Sequence, residues 1–374
     1  MSGTATVRYR KSIEPVYTDG RDIDRKVGAL TGEAADQEAS GASDKHLRKG
    51  AEVWQNLPQP QPNDPTYYDR PLLNEPVWEW AIPTYYYVGG LTGAALVLGA
   101  AAQIGHSAER ESLIRRCHLI GVIGTGLSGA LLIEDLGVPS RFLNMLRVFR
   151  PTSAMNMGAW ILMATSGAAF GAFLLRPRKG LLRRIGQICG YLAGIFGAGL
   201  ATYTGVLVSN TAVPLWQASR KVLPILFGTS AMSSLGAVFE LTVENAEERR
   251  LTKIFGTVGQ TAELTAAVVM ERQAAVVPRV ARPLRHGVGA LLWRGAMLLT
   301  GAGLVLGVLP HRTRNRRIAA GLISSLGSML MRSSIEHMGN ASARDARASF
   351  HQQRAGYGAA ELTRPDTALP HDIH

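Results

Sequence analysis

The chain has 374 residues, a formal net charge of +12 and a mean hydropathy of only +0.06. Cys117 and Cys189 stand apart, with no C-x-x-C or C-x-x-C-H, which excludes a self-contained iron–sulfur cluster or covalently attached haem. P-loop, nucleophile-elbow and H-E-x-x-H patterns are missing too, and the positive charge lies in connections between apolar stretches, so nucleic acid is not called for.

Residues 1–76 are polar, carry both charge signs and end in a proline-rich run that includes Pro58, Pro60, Pro62, Pro65 and Pro71. Such a segment buries too little surface to fold alone, so it reads as a strap across a partner subunit or as disorder. Residues 340–374 have the same character and form the expected C-terminal tail.

Between the tails lie eight apolar, glycine-rich stretches, at 78–103, 117–133, 158–175, 185–208, 223–243, 254–270, 288–309 and 318–331. A hydrocarbon core of about 30 Å takes about 20 helical residues, and most of these stretches reach that length. The sixth and eighth are shorter and carry charges. Stretches such as 158–175 are apolar all round, which a soluble helical bundle does not tolerate. The expected fold class is therefore an all-α polytopic membrane protein with eight transmembrane helices. In the fourth, Gly186, Gly190, Gly194, Ala198 and Thr202 recur at spacing four and predict a ridge for close helix packing.

An even number of spans puts both termini on one side of the membrane. The loops after the first, third, fifth and seventh spans are richer in Arg and Lys than those after the second, fourth and sixth. The positive-inside rule then places both termini outside a bacterial-type inner membrane.

A haem within the bilayer would need two histidines at one depth on facing helices, and His118, His106, His286, His311 and His337 offer no such pair. The polar residues of the first spans instead gather at the outer end. Tyr85, Tyr86 and Tyr87 lie about two turns into the first span, Glu134 and Asp135 end the second, and Tyr203 comes one turn before the exit of the fourth. The plain reading is interfacial tyrosine and solvated acid. The functional reading is a quinone head-group pocket at the outer ends of spans one, two and four, in which Tyr203 holds the quinone oxygen and Glu134 or Asp135 handles protons.

The second span carries His118, Gly121, Thr125, Ser128 and Asp135 on one helix face, a polar stripe suited either to packing or to carrying protons from the inner surface. Glu240, Glu263, Arg294 and Arg332 lie in or near the last four spans, where a lone charge costs at least about 2.5 kcal/mol. Pairing is expected, for example of Glu263 with Arg294. Either an ion pair that fixes helix register or a proton half-channel through Glu240, Glu263 and Arg294 fits the pattern.

Residues 83–93 (PTYYYVGGLTG), 134–137 (EDLG), 141–147 (RFLNMLR), 150–158 (RPTSAMNMG) and 202–209 (TYTGVLVS) resemble the NrfD/PsrC family, the haem-free membrane subunits of polysulfide reductase-like complexes. The resemblance covers roughly residues 78–339. It implies two four-helix bundles, at 77–209 and 210–339, with a menaquinone or ubiquinone site in the first. It also implies an iron–sulfur electron-transfer subunit as partner and a separate catalytic subunit of molybdenum, tungsten or hydrogenase type. By position, Glu134 and Tyr203 match the family's quinone-site acid and tyrosine. Where some members carry asparagine and histidine in the first span, this chain has the Tyr85–Tyr87 cluster. The loop of Arg141, Asn144, Arg147 and Arg150 lies on the pocket side and is expected to meet an acidic face of the iron–sulfur partner. Two other classes stay open, a plain membrane anchor that passes no electrons and a secondary transporter, for which the missing helix interruptions are a poor sign.

Overall fold

The computed structural model describes residues 72–76, 78, 80–104, 108–136, 142–242, 245–310 and 313–354. The tail readings for 1–71 and 355–374, and the predicted docking residue Arg141, lie outside these residues. Every regular element within them is a helix. Eight are long: α1 (Ala81–Ile104), α2 (Glu111–Asp135), α3 (Ala154–Leu175), α4 (Leu181–Ser209), α5 (Leu223–Thr242), α6 (Ala246–Ala275), α7 (Val288–Val308) and α8 (Arg314–Arg344). Helix ends follow the capping rules. Ser153, Asn245 and Thr313 precede α3, α6 and α8 and accept bonds from Asn156, Glu247 and Arg316 backbone N–H groups.

Seven of the eight are long and apolar enough to cross a membrane, and α6 is not among them. Its low hydropathy comes from charges near its two ends, such as Arg250, Lys253, Glu271 and Arg272, and from its protein-facing side, where Glu248, Thr252, Gln260 and Glu263 are buried, while Ile254, Val258, Val268 and Val269 face outward. Elsewhere the outer surface is also apolar. Leu119, Ile123 and Leu127 line one exposed side of α2, and on α7 Leu291, Leu298 and Val305 are 69%, 73% and 58% exposed. So large an outward apolar surface suits hydrocarbon rather than water.

Packing is antiparallel between sequence neighbours. α1 lies against α2 and α4, and α3 bridges α2 and α4; α5 pairs with α6 and α8, and α7 with α6 and α8. α1 and α4 also touch α5, and α1 touches α8. Backbones approach closely at small residues: a Cβ on Gly236 of α5 would lie 2.4 Å from the Gly256 Cα of α6, so no larger residue fits. The ridge expected on α4 holds only in part. Gly186, Gly190 and Gly194 are buried, but Ala198 is exposed and the contact line passes instead through Gly197, Ala201 and Gly205. A strict spacing of four rotates about 40° per step around a helix of 3.6 residues per turn, which carries Ala198 off the seam.

The last helix runs past the expected span, and Ala346–Arg354 form a further short helix. The boundary near 340 expected from composition falls within α8. Ala343, Ala346 and Ala348 are buried there, and Arg279 donates to Asp345 at 2.8 Å, so packing rather than hydropathy orders this polar stretch.

Candidate functional site

The tyrosines of the first span do not act as one cluster, because successive residues on a helix point about 100° apart. Tyr87 turns toward α8, where its hydroxyl meets the Ser325 hydroxyl at 2.5 Å. Tyr85 is buried with its ring over Gly89, close to Ser128 of α2. Tyr86 is buried in an aromatic wall. Its ring meets Trp78 edge-on at 6.2 Å and Phe227 of α5 at 5.6 Å, and Trp78 stacks on Trp216 at 5.8 Å. Trp216, in the short helix Pro214–Ala218, is fixed by its indole N–H, which donates to the Ile335 carbonyl at 2.9 Å.

Tyr203 is also buried, within electrostatic reach of Tyr85 and Tyr86. Its hydroxyl donates to the Ala154 carbonyl at 2.6 Å, in the first turn of α3. Gly158 makes that possible: a Cβ there would fall 2.1 Å from the Tyr203 ring. Three residues of the motif at 150–158 have defined structural roles. Ser153 caps α3, Gly158 leaves room for Tyr203, and Asn156 ties down the preceding loop by donating to the Met145 and Val148 carbonyls and accepting from the Arg150 N–H.

The two acids at the end of α2 diverge. Glu134 is exposed, whereas Asp135 is half-buried and within electrostatic reach of Tyr86. The structure therefore brings Tyr85, Tyr86, Tyr203 and Asp135 together and turns Tyr87 and Glu134 away. It adds Glu336 of α8, buried and also within reach of Tyr86, which the sequence analysis missed. Its signal was present as a second charge one turn after Arg332, just past the last predicted span.

Several buried hydroxyls around this cluster have no hydrogen-bond partner: those of Tyr86, Ser128 and Thr204. The close approach of Gly93 to Gly197 sets the register of α1 and α4 and puts Thr204, two turns along, level with Tyr86. A buried orphan hydroxyl costs about 1–3 kcal/mol, so a run of them marks a place shaped for a polar ligand or water.

His118, Thr125 and Ser128 all lie on the buried side of α2. Thr125 spends its hydroxyl on the Gly121 carbonyl at 2.8 Å, while the His118 Nε2 is without a partner. At the far end of this stripe stands a group the sequence reading did not single out. Arg176 donates to both Glu111 oxygens, at 2.9 and 3.0 Å, and to Gln103, with His118 within electrostatic reach.

The charges of the later helices are arranged differently from expectation. Glu263 is buried and faces Arg332, whereas Arg294 is exposed and donates to the Arg285 carbonyl at 3.3 Å, so the suggested Glu263–Arg294 pair does not form. On the helix, Arg294 directly follows the buried Trp293 and is carried to the outer face. Glu240 pairs with Arg317 at 3.5 Å. Asn144, Arg147 and Arg150 are exposed on and after the short helix Phe142–Arg147. An apolar cleft of about 590 Å³ lies elsewhere, between α5 and α6, lined by residues such as Val222, Ile225, Val258 and Val269. Among the described residues no group of His, Cys, Asp and Glu side chains is arranged to hold a metal ion.

Comparison with known proteins places this helical frame. The family model described as polysulphide reductase, NrfD matches residues 71–301. The chain is similar to the C subunit of polysulfide reductase from Wolinella succinogenes, with 27% identity over 181 residues, which cover 43% of this chain and 56% of that relative. The chain thus spans about half the length of the curated relative it matches. With most of the chain matched and seven helices apolar enough to cross a bilayer, this integral membrane protein belongs to the polysulphide reductase NrfD family.

Proposed function

We propose that this chain is the quinone-reactive membrane subunit of a multi-subunit oxidoreductase, passing electrons between an iron–sulfur partner subunit and the membrane quinone pool, with the protons that accompany them. The observation that carries the reading is the buried, unpartnered Tyr86 hydroxyl, which stands beside Tyr85, Tyr203 and Asp135. Reducing a quinone takes two electrons and two protons, and oxidising a quinol returns them. In the proposed pocket Tyr86 donates to a quinone oxygen, the Tyr85 and Tyr203 rings form the walls, and Asp135 supplies or accepts the two protons one after the other, with Glu134 behind it toward solvent. Tyr203 already spends its hydroxyl on Ala154, which supports a shaping role for its ring. The quinone is menaquinone or ubiquinone.

Electrons have to reach this pocket from outside the chain, because its two cysteines and scattered histidines make no binding pattern for a cluster or haem. The Wolinella relative is named as one polypeptide of a polysulfide reductase, which supports a partner complex here. That complex would add a catalytic subunit of molybdenum, tungsten or hydrogenase type.

The helix pairings support two four-helix bundles, α1–α4 with the pocket and α5–α8 behind it. The close Gly236–Gly256 approach and the outward Ile254 and Val258 favour α6 as an eighth crossing. Both termini then share the extracytoplasmic side of a bacterial-type inner membrane.

The test is quinone-linked turnover of the purified complex. In Tyr86→Phe it is expected to fall about tenfold, the worth of roughly one hydrogen bond to a buried group, while the partner's activity with a soluble dye is unchanged. Unaltered quinone kinetics in this variant, together with no quinone extractable from the wild-type complex, would leave only a membrane anchor.

Two further roles belong to the same reading. The buried His118–Ser128 stripe is proposed as a proton route from the Glu111–Arg176 end to the pocket. The exposed Asn144, Arg147 and Arg150, with Arg141 before them, are proposed to dock an acidic face of the iron–sulfur partner. Reversing charge in Arg147→Glu/Arg150→Glu is expected to lower recovery of that partner in pull-downs at least about tenfold, since opposed charges become like charges. Full recovery at physiological salt would remove the loop from the interface.

A further inference from the structure

Arg332 of α8 is wholly buried, yet its contacts are not those of a simple ion pair. One terminal nitrogen donates to the Tyr86 carbonyl of α1, and the other to the Phe227 carbonyl of α5 at 3.2 Å. Its guanidinium also lies 5.3 Å from the centre of the Phe227 ring, the ring that packs edge-on against Tyr86. A helical carbonyl keeps a second lone pair after its own i+4 bond, but the side chain at i+4 normally hides it. Here that residue is Gly90, where a Cβ would sit 2.7 Å from both terminal nitrogens. Across the bundle stands the Glu263 carboxylate, buried, with the Ser230 and Ser233 hydroxyls beside it.

We propose that Arg332 is a positioning residue for the tyrosine wall of the pocket, locking the Tyr86 carbonyl so that the Tyr86 phenol is presented to the quinone head group, with Glu263 as its buried counter-charge. This rests on the quinone reading above. A charge pair alone would need only proximity; two directed bonds to carbonyls of different helices, through a gap left by glycine, fix α1 and α5 at the depth where the aromatic wall is built. The bond to Tyr86 also orders the turn that carries the Tyr85 ring.

Removing a buried arginine alone strands Glu263 as an uncompensated charge, which destabilises the fold whatever else the arginine does. The informative variant is Arg332→Gln combined with Glu263→Gln, which leaves no charge unpaired, and the companion is Gly90→Ala, which presses on the guanidinium without changing charge. Both are made in the full complex and assayed for assembly, dye-linked partner activity, and KM and kcat with a soluble quinone analogue. The expected result is normal assembly and dye activity with a quinone KM raised about tenfold, as for the loss of one charge-assisted hydrogen bond, and kcat within about twofold. Wild-type KM in the double variant overturns the positioning role. A fall in assembly and dye activity that matches the fall in quinone turnover overturns it too, because Arg332 would then serve folding only. Tyr86→Phe and Asp135→Asn separate the two failures. If they alter quinone kinetics while the double variant does not, the clamp alone is wrong. If neither does, the pocket is wrong and the clamp falls with it.

Discussion

Asp135→Asn is expected to lower quinone-linked turnover by roughly two orders of magnitude, the usual contribution of a positioned general acid or base. The amide keeps the size and much of the hydrogen bonding of the carboxyl but cannot exchange a proton. Asp135 is half-buried at the end of α2 within reach of the Tyr86 phenol, whereas Glu134, next to it, is exposed. Glu134→Gln is therefore expected to change turnover far less, about threefold or under by the same measure. Kinetics of the two variants with a quinone analogue, alongside dye-linked activity of the partner, distinguish the acids. Equal losses would mean the pair acts as one solvated cluster, and a larger loss in Glu134→Gln would reverse the assignment.

The second large effect concerns charge movement. If the buried face of α2 carries protons, Ser128→Val together with Thr125→Val should abolish proton uptake from the inner side, because two methyl groups replace the polar links between His118 and Tyr85. The Ser128 hydroxyl is wholly buried, has no partner and lies beside Gly89, where the Tyr85 ring begins. Thr125 already bonds its own helix, so most of the effect should appear with Ser128→Val alone. Reconstituted in vesicles with a pH-sensitive dye inside, the double variant is expected to show roughly a tenfold or greater loss of proton uptake per quinone turned over, since apolar surroundings make proton transfer costly. Unchanged charge movement would confine these residues to helix packing, the ordinary use of small polar side chains in membranes.

The Arg176–Glu111–Gln103 group stands at the far end of that face of α2, yet nothing in the linear chain announced it. Gln103 ends α1, Glu111 begins α2 and Arg176 follows α3, so they meet only because three helices close on one another at this end. The same limit applies to Glu263. Sequence placed a buried acid among several arginines, and depth alone suggested Arg294. The partner turned out to be Arg332, because Arg294 sits on the outward side of α7 while Arg332 points to the shared centre of α1, α5 and α8. Depth can be counted along a helix. Azimuth depends on the neighbouring helices.

Hydropathy read residue by residue was sufficient for the membrane-spanning, all-helical class, because hydrocarbon forces backbone polar groups to bond within each segment and leaves helix length as the main variable. The motifs at 83–93, 134–137, 150–158 and 202–209 were sufficient for the family. The sixth helix marks the boundary of that reasoning. Its apolar stretch could be read along the chain, but that Glu248, Gln260 and Glu263 turn inward is a fact that only burial reveals. The candidate site shows the same division. The sequence by itself put Tyr85, Tyr86, Tyr203 and Asp135 toward one end of their helices but gave no role to Glu336. Tertiary packing decided that Tyr86 and Asp135 converge while Tyr87 and Glu134 turn away, because adjacent residues on a helix differ by about 100° and only the set of neighbouring helices determines which direction is inside.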